Sequence, residues 1–414
     1  MTDEIEELPL LAKPRVTDIR FVDTAAGLID ATNSLKTANG PFALDAERAS
    51  GFKYSQRAYL IQAHRIGTPI FLIDPVAILA ENGESAMAEF AALLSTDEWI
   101  LHAASQDIPC LRELGIVPTK IFDTELGSRI AGLPRVGLGA VTEHFLKVKL
   151  AKEHSAVDWS IRPLREDWLN YAALDVDVLH ELRDGVAALL EEQGKTLWAE
   201  QEFSSVAAMP PREPKVDRWR GMSGMHAVKD ARSMAIAREL WLAREELAEK
   251  LDVSPGRLVP DSSIVAIAAS PVKSRPELAA SKIFSGRASR TYLDTWWAAL
   301  NTGLTTKDLP VVRVPHIGIP NHRTWPNRYP DADWRLKNCR EALAKLGQDE
   351  QIPVENLLTP DFVRQLCWEP PQPTTPASVK EFLEKLGARK WQADLVAEVL
   401  TSALLKPLPT AEPA

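Results

Sequence analysis

Every run that reads as a β-strand lies before residue 125, and from residue 166 onward apolar residues recur mainly at helical spacing. That division excludes a single architecture: the first part must be an α/β layer structure and the rest all-helical. The strands read as 42–47 (FALDAE), 58–63 (AYLIQA), 69–73 (PIFLI), 99–102 (WILH) and 120–122 (KIF). Gly51 and the run Gly67, Thr68, Pro69 punctuate them. The connection across Gly67 suits a hairpin, whereas the last two strands alternate with helices, which favours parallel pairing. Residues 166–193 read as one long helix with Leu169, Ala172, Ala173, Val176, Leu179 and Leu182 on one face.

Two breaks divide the helical part. Residues 208–224 mix Pro, Gly and charge with little periodicity, and 310–330 are rich in Pro, Asn, Arg and His with no Asp or Glu. The segments after these breaks resemble each other: REELA at 244–248 precedes LVPD at 258–261, and REALA at 340–344 precedes LLTPD at 357–361. Each reads as a long helix, a loop and a Pro-Asp start to the next helix, with Asp261 or Asp361 suited to cap it. Similar order and content favour a duplicated module.

A chain of 414 residues holds two to four domains at about 100–200 residues each. No apolar run approaches the ~18 residues of a membrane span, so no membrane partner is expected. Residues 1–10 carry Asp3, Glu4, Glu6 and Glu7, a short acidic leader rather than a secretory signal. Cys110, Cys339 and Cys367 are scattered in apolar helical stretches, which fits buried thiols in a reducing cytoplasm. The formal net charge of −9 weighs against a dedicated nucleic-acid binder, although local placement of charge matters more than its sum.

Asp45 and Glu47 lie two apart on a strand, so both side chains share one face. Two acids beside Phe42, Ala43 and Leu44 repel each other and cost desolvation, and a metal is the simplest compensating cation. A solvated edge strand would carry the same pattern. Tyr171 and Asp175 lie four apart on the long helix and share a face. Asp107 starts a helix after the strand WILH, where an acid also answers the helix dipole. Together these residues suit phosphodiester hydrolysis, which needs an activated water and a stabilised leaving oxygen; clustered carboxylates hold the divalent ions that supply both. Oxygen-only ligands favour two Mg²⁺ or Mn²⁺ over zinc. The Tyr171 phenol, both donor and acceptor, could orient the water.

HAASQDIPCL around Asp107 and LNYAALDVDVL around Tyr171 and Asp175 resemble motifs two and three of the DEDD exonucleases that carry a tyrosine. FALDAE resembles motif one, with Ala46 where Thr is more usual, and RAYLIQ, IFDTELGSRIAG and VDWSIRPL resemble stretches of the ribonuclease D family. The downstream repeats resemble HRDC domains. The resemblance implies a ribonuclease H-like mixed five-stranded sheet with flanking helices, followed by two all-α HRDC-like domains. It also implies catalytic Asp45, Glu47, Asp107, Tyr171 and Asp175, metal ligation by the four acids, and 3′→5′ release of 5′-mononucleotides from RNA. Transfer RNA precursors and small structured RNAs are the implied substrates, with a cytoplasmic monomer expected. The division is 1–205 exonuclease, 206–227 linker, 228–305 HRDC, 306–332 linker and 333–406 a second, degenerate HRDC-like domain. The tail is expected to orient structured RNA, and a piece ending near Phe203 to fold and act on short RNA alone. A DNA exonuclease of proofreading or repair type, with the same acids, and an inactive nucleic-acid-binding adaptor are the alternatives.

Arg129, Arg135, Lys147, Lys149 and Lys152, with Arg162 and Arg165 beyond, form a candidate phosphate-contacting rim, or else a solvated helix surface. Arg313, His316, His322, Arg323, Trp325, Arg328 and Tyr329 interleave cations with aromatics in the second break, which suits either single-strand stacking or a packed spacer. His102 and His144 read as packed near the sheet edge, Asp123 as an N-cap, and Trp296, Trp297 and Trp391 as module cores.

Overall fold

The computed structural model describes residues 8–151, 156–211, 213, 215–313 and 318–408; Lys152, His316 and the leader through residue 7 lie outside them. The strands are β1 (Leu10–Leu11), β2 (Ile19–Val22), β3 (Phe42–Arg48), β4 (Ala58–His64), β5 (Ile70–Ile73), β6 (Trp99–Leu101), β7 (Ile121–Asp123) and β8 (Lys149–Leu150). A six-stranded sheet runs β2-β5-β4-β3-β6-β7, and β1 pairs with β8 as a separate ribbon. Only β4 runs against its neighbours, so the sheet is mixed, and β4 and β5 form the expected hairpin. All five expected strands are present. The sixth, β2, is a four-residue IRFV at the sheet edge, too short for its alternation to stand out in the sequence.

Alternation along β3 sorts its side chains between two cores. Phe42, Leu44 and Ala46 join the larger cluster beneath the sheet, while Ala43 packs with Ala172, Ala173 and Val176 from the helix Glu166–Asp177. That helix lies across β3, β4 and β5. The expected continuous helix over 166–193 instead breaks after Asp177, and Leu179–Glu192 follows. The buried Asp177 carboxylate accepts from the backbone N–H of Arg15 and Val16, and its carbonyl accepts from the Arg15 guanidinium. A segment 160 residues away thus ties down the junction, which periodicity cannot register.

The tail holds the duplicated module. Ala231–Leu251, Pro255–Leu258 and Asp261–Ala269 find their counterparts in Pro330–Asp349, Val354–Leu357 and Pro360–Trp368, each set over its own core. The expected Asp caps are not formed. Pro260 and Thr359 occupy the cap positions; Asp261 instead binds the Arg244 guanidinium at 2.7 Å, and Asp361 binds Arg364 at 3.0 Å. Trp325 is fully buried in the last core, its indole N–H donating to the Pro320 carbonyl, so it is unavailable for stacking on a single strand. All three cysteines are buried and free, as expected. Among the described residues, no helix is long and apolar enough to cross a membrane.

Both modules dock on the α/β unit. From the second, Trp391 stacks on Trp198 at 5.0 Å between centroids and donates its indole N–H to Glu202, which also pairs with Arg389. Trp391 therefore belongs to the core of the α/β unit, with Trp198 packed against it. Lys195 Nζ donates to the Glu350 carbonyl at 2.7 Å. From the first, Asp252 accepts from Ser55 N at 3.0 Å and the Tyr59 hydroxyl at 3.2 Å. In a piece ending near Phe203, Trp198 and the loop 49–57 would lack these partners.

Candidate active site

The carboxylates converge where β3 meets the helix above it. Period-two spacing aims Asp45 and Glu47 toward that helix, and four-residue spacing puts Tyr171 and Asp175 on its lower face. One oxygen each from Asp45, Glu47 and Asp175 lies within 4.8 Å of the others. Asp107 joins them along one wall of a cavity of about 470 Å³, which Tyr171, His102, Gln106, Arg48 and Phe52 also line. Asp107 sits at the start of Ile108–Arg112 but makes no side-chain capping bond there, so its carboxylate is not committed to the helix end.

Electrostatics in the cavity follow from burial and like charge. Burial pushes Asp45 up to about 6, against the pull of Arg48. Burial first, and then Asp45 with the other acids, holds Glu47 and Asp107 well above the ordinary carboxylate range. Asp175 is raised the same way, while the hydrogen bond donated by the Tyr171 hydroxyl pulls it back. The Tyr171 phenol itself is raised, chiefly by burial and then by Asp175, and so stays protonated. His102 is pushed down to about 4 by burial and shares a 2.9 Å hydrogen bond with Thr124 Oγ1, so it is neutral and packed. Four carboxylates that repel one another, Asp107 buried and the other three half-buried, suit a hard divalent cation, which would reverse the upward shifts of these acids.

Two further residues hold the acids in place. Gln62, opposite Asp45 on β4, donates to its carboxylate at 3.3 Å. Asp123, the predicted N-cap, accepts from Glu125 N and Leu126 N and also from Ala103 N and Ala104 N, fixing the turn that leads to Asp107.

Sequence reasoning missed Arg48, Gln62 and Phe52. Strict alternation would turn Arg48 away from Glu47, but the β3–β4 register slips between these residues and Arg48 lines the cavity. Of the candidate rim, Arg162 is engaged elsewhere: it donates to Asp74 and to the Trp159, Ile161 and Tyr59 carbonyls, so it braces the fold. Arg129 pairs with Glu125 and Arg135 with Glu143, while Lys147 closes its helix in the left-handed region. Arg165 is exposed and bonded to Asp167; Lys149 lies on β8, half-buried.

Residues 19–191 match the 3′-5′ exonuclease family, 233–300 the HRDC domain, and 318–404 the 3′ to 5′ exonuclease C-terminal domain. The second module, expected as a degenerate HRDC domain, thus matches a description of its own. A crystal structure of a protein from Bifidobacterium adolescentis is 36% identical, with a TM-score of 0.86 over 96% of this chain and 100% of that one. Escherichia coli RNase D, described as an exoribonuclease involved in structured RNA processing, shares the fold: 23% identity, TM-score 0.67, 94% of this chain and 99% of that one. Ribonuclease D of Jannaschia sp. (strain CCS1) is 28% identical over 298 residues, 69% of this chain and 72% of that one.

Proposed function

The chain belongs to the ribonuclease D family of metal-dependent 3′→5′ exoribonucleases, and from that membership we propose that Asp45, Glu47, Asp107 and Asp175 hold two Mg²⁺ or Mn²⁺ ions while Tyr171 positions the attacking water. The observation that carries this assignment is the meeting of Asp45, Glu47 and Asp175 within 4.8 Å in one cavity, all held above their ordinary ionisation range. Ionised together these acids repel one another, and a bound cation would relieve that repulsion.

Divalent ions held by these four acids would activate water and stabilise the leaving 3′ oxygen. The chain's own groups do the rest. Water attacks the last phosphorus, the bond to the 3′ oxygen of the preceding nucleotide breaks, and a 5′-mononucleotide leaves. Tyr171, protonated and anchored on Asp175, offers its phenol to the water. Gln62 fixes the rotamer of Asp45. Arg48 brings a positive charge to the same cavity, where the scissile phosphate carries negative charge.

The finer reading is maturation of transfer RNA precursors and other small structured RNAs by a cytoplasmic monomer. Its support is the two helical modules, the buried free thiols and the structured-RNA processing of the Escherichia coli protein. Arg129, Arg135, Lys147, Lys149 and Arg165 remain the proposed phosphate rim, with Lys152 outside the described residues. The test is incubation of 5′-labelled RNA and DNA of one sequence with and without Mg²⁺. RNA should shorten from its 3′ end only with the ion, and Asp175→Asn should slow this by orders of magnitude. Turnover of DNA at the RNA rate would overturn the choice of substrate.

A further inference from the structure

Arg48 is the one permanent cation among the described residues that line the carboxylate cavity, and its placement is built into the sheet. Glu47 pairs with Leu60 of β4 and Arg48 with Ala58, so Tyr59 is the extra residue of a β-bulge. A bulge bends its strand and adds twist, which here brings two adjacent β3 side chains into one cavity. Tyr59 is fixed from two sides. Its carbonyl accepts from the Arg162 guanidinium at 2.8 Å, and its hydroxyl donates to Asp252 of the first helical module at 3.2 Å. Arg162, a candidate phosphate contact by sequence, thus secures the bulge beside Arg48.

Arg48 is half-buried, and its guanidinium closes no hydrogen bond or ion pair among the described residues. Its charge nevertheless reaches Asp45, Glu47 and Asp107, drawing each down against the upward push of burial. A cation close to three carboxylates yet locked to none is a partial counter-charge that stays available to a ligand. Before metal is bound, Arg48 relieves part of the repulsion within the cluster, and it opposes any other cation brought to the same acids. When the acids hold a divalent cation, Arg48 is left without its counter-charge, and the RNA phosphate is the anion that can replace it. A guanidinium fork matches two phosphate oxygens.

We propose that Arg48 is a resident counter-ion that changes partner: it offsets Asp45, Glu47 and Asp107 while they are empty, competing with the metal, and grips the non-bridging oxygens of the scissile phosphate once they are filled. The proposal rests on the four acids being the metal-holding place of hydrolysis. Arg48 then trades metal affinity for turnover, holding the acids together in metal-free protein and stabilising negative charge on the phosphate during attack.

The test uses the full chain and two measurements: calorimetric titration with Mn²⁺ alone, without RNA, and turnover of 5′-labelled RNA at saturating Mn²⁺. Arg48→Gln should bind Mn²⁺ on the order of tenfold more tightly than wild type, because a like charge has left the site. Its kcat should nevertheless fall on the order of 10²-fold, since a cation on the reacting phosphate is gone. Arg48→Lys should keep the wild-type Mn²⁺ affinity and recover only part of kcat, because the ammonium restores the charge without the planar fork. Tighter metal with slower turnover is the signature, for a merely loosened cavity would weaken both. Mn²⁺ affinity unchanged or weaker in Arg48→Gln would overturn the counter-ion, and an unchanged kcat would overturn the grip on phosphate. Should Arg48→Gln fail to fold, Arg48→Lys decides: full kcat, or an altered Mn²⁺ affinity, would count against the proposal. Asp175→Asn runs alongside. If it is inactive while Arg48→Gln binds Mn²⁺ no more tightly, the role of Arg48 alone is wrong. If it is active, or if wild type binds no Mn²⁺, the cavity is not the reaction site and both readings fall.

Discussion

The shared faces of Tyr171 with Asp175 and of Asp45 with Glu47 were legible from four- and two-residue spacing, because both periods are properties of regular backbone, but neither pair is specific alone and the resemblance of the motifs around them singled them out. Arg48 was not, because a register slip re-aims it; Gln62 was not, because its partner lies 17 residues away across a hairpin. The two kinds of residue yield different predictions. Tyr171→Phe removes one hydroxyl while leaving the ring packed; kcat should fall on the order of 10²-fold, with RNA affinity near normal. An unchanged kcat would make Tyr171 a packing residue. The acids govern stability as well. In metal-free protein Asp45 is raised to about 6, and Glu47, Asp107 and Asp175 are held well above the ordinary carboxylate range. A carboxyl raised on folding contributes most when protonated, below its unfolded value near 4, and that contribution is lost as pH rises through the folded value. With EDTA present, the Tm advantage of Asp175→Asn over wild type should therefore widen from pH 4 to pH 8. Mn²⁺ should narrow it by stabilising wild type. Thermal scans across that range check both, and an advantage that shrank with rising pH would contradict the cluster.

Among the elements, the turn between β6 and Asp107 depends on a strand beyond it. Asp123 was readable as an N-cap because capping is local, but its bonds to Ala103 N and Ala104 N span about 20 residues and leave no trace in the sequence. Those bonds hold Ala103 at φ 65, in the left-handed region an alanine rarely adopts. Asp123→Ala strips the acceptor from four N–H groups at a residue 3% exposed. It should cost roughly 2 kcal/mol or more of stability, and lower kcat by misplacing Asp107. Denaturant melts and single-turnover rates would separate the two effects; a neutral variant would mean the turn needs no such support. The break after Asp177 was hidden for a related reason, since apolar spacing continues across it and only the distant Arg15 and Val16 mark it.

In the whole molecule, the modules were legible as repeats but their docking was not. A tryptophan at helical spacing reads alike whether it packs in its own module's core or another's, and Trp391 packs in that of the α/β unit. Gly132 marks how close that approach is. It sits at φ 79, and a Cβ there would collide with the Gln351 carbonyl of the second module. Gly132→Ala should thus loosen the module from outside both cores. Greater hydrogen exchange in 390–404 with little change in the sheet would show it, and unchanged exchange there would argue against a tight seam.

The two docking surfaces lie at opposite ends of the tail, Asp252 to Arg257 near one and Gln351 with Trp391 near the other, each gripping residues more than 150 positions earlier. In the stretch that joins tail to sheet, the described residues 211, 213 and 215–218 are exposed, among them the trypsin sites Lys215 and Arg218. Covalent continuity there should therefore be dispensable once folding is complete. Trypsin cleaving at Lys215 should give two fragments that elute as one particle and part only in denaturant. Polypeptides 1–211 and 215–414, produced separately and mixed, should rebuild activity that neither has in full, making this a nuclease that can be assembled from halves.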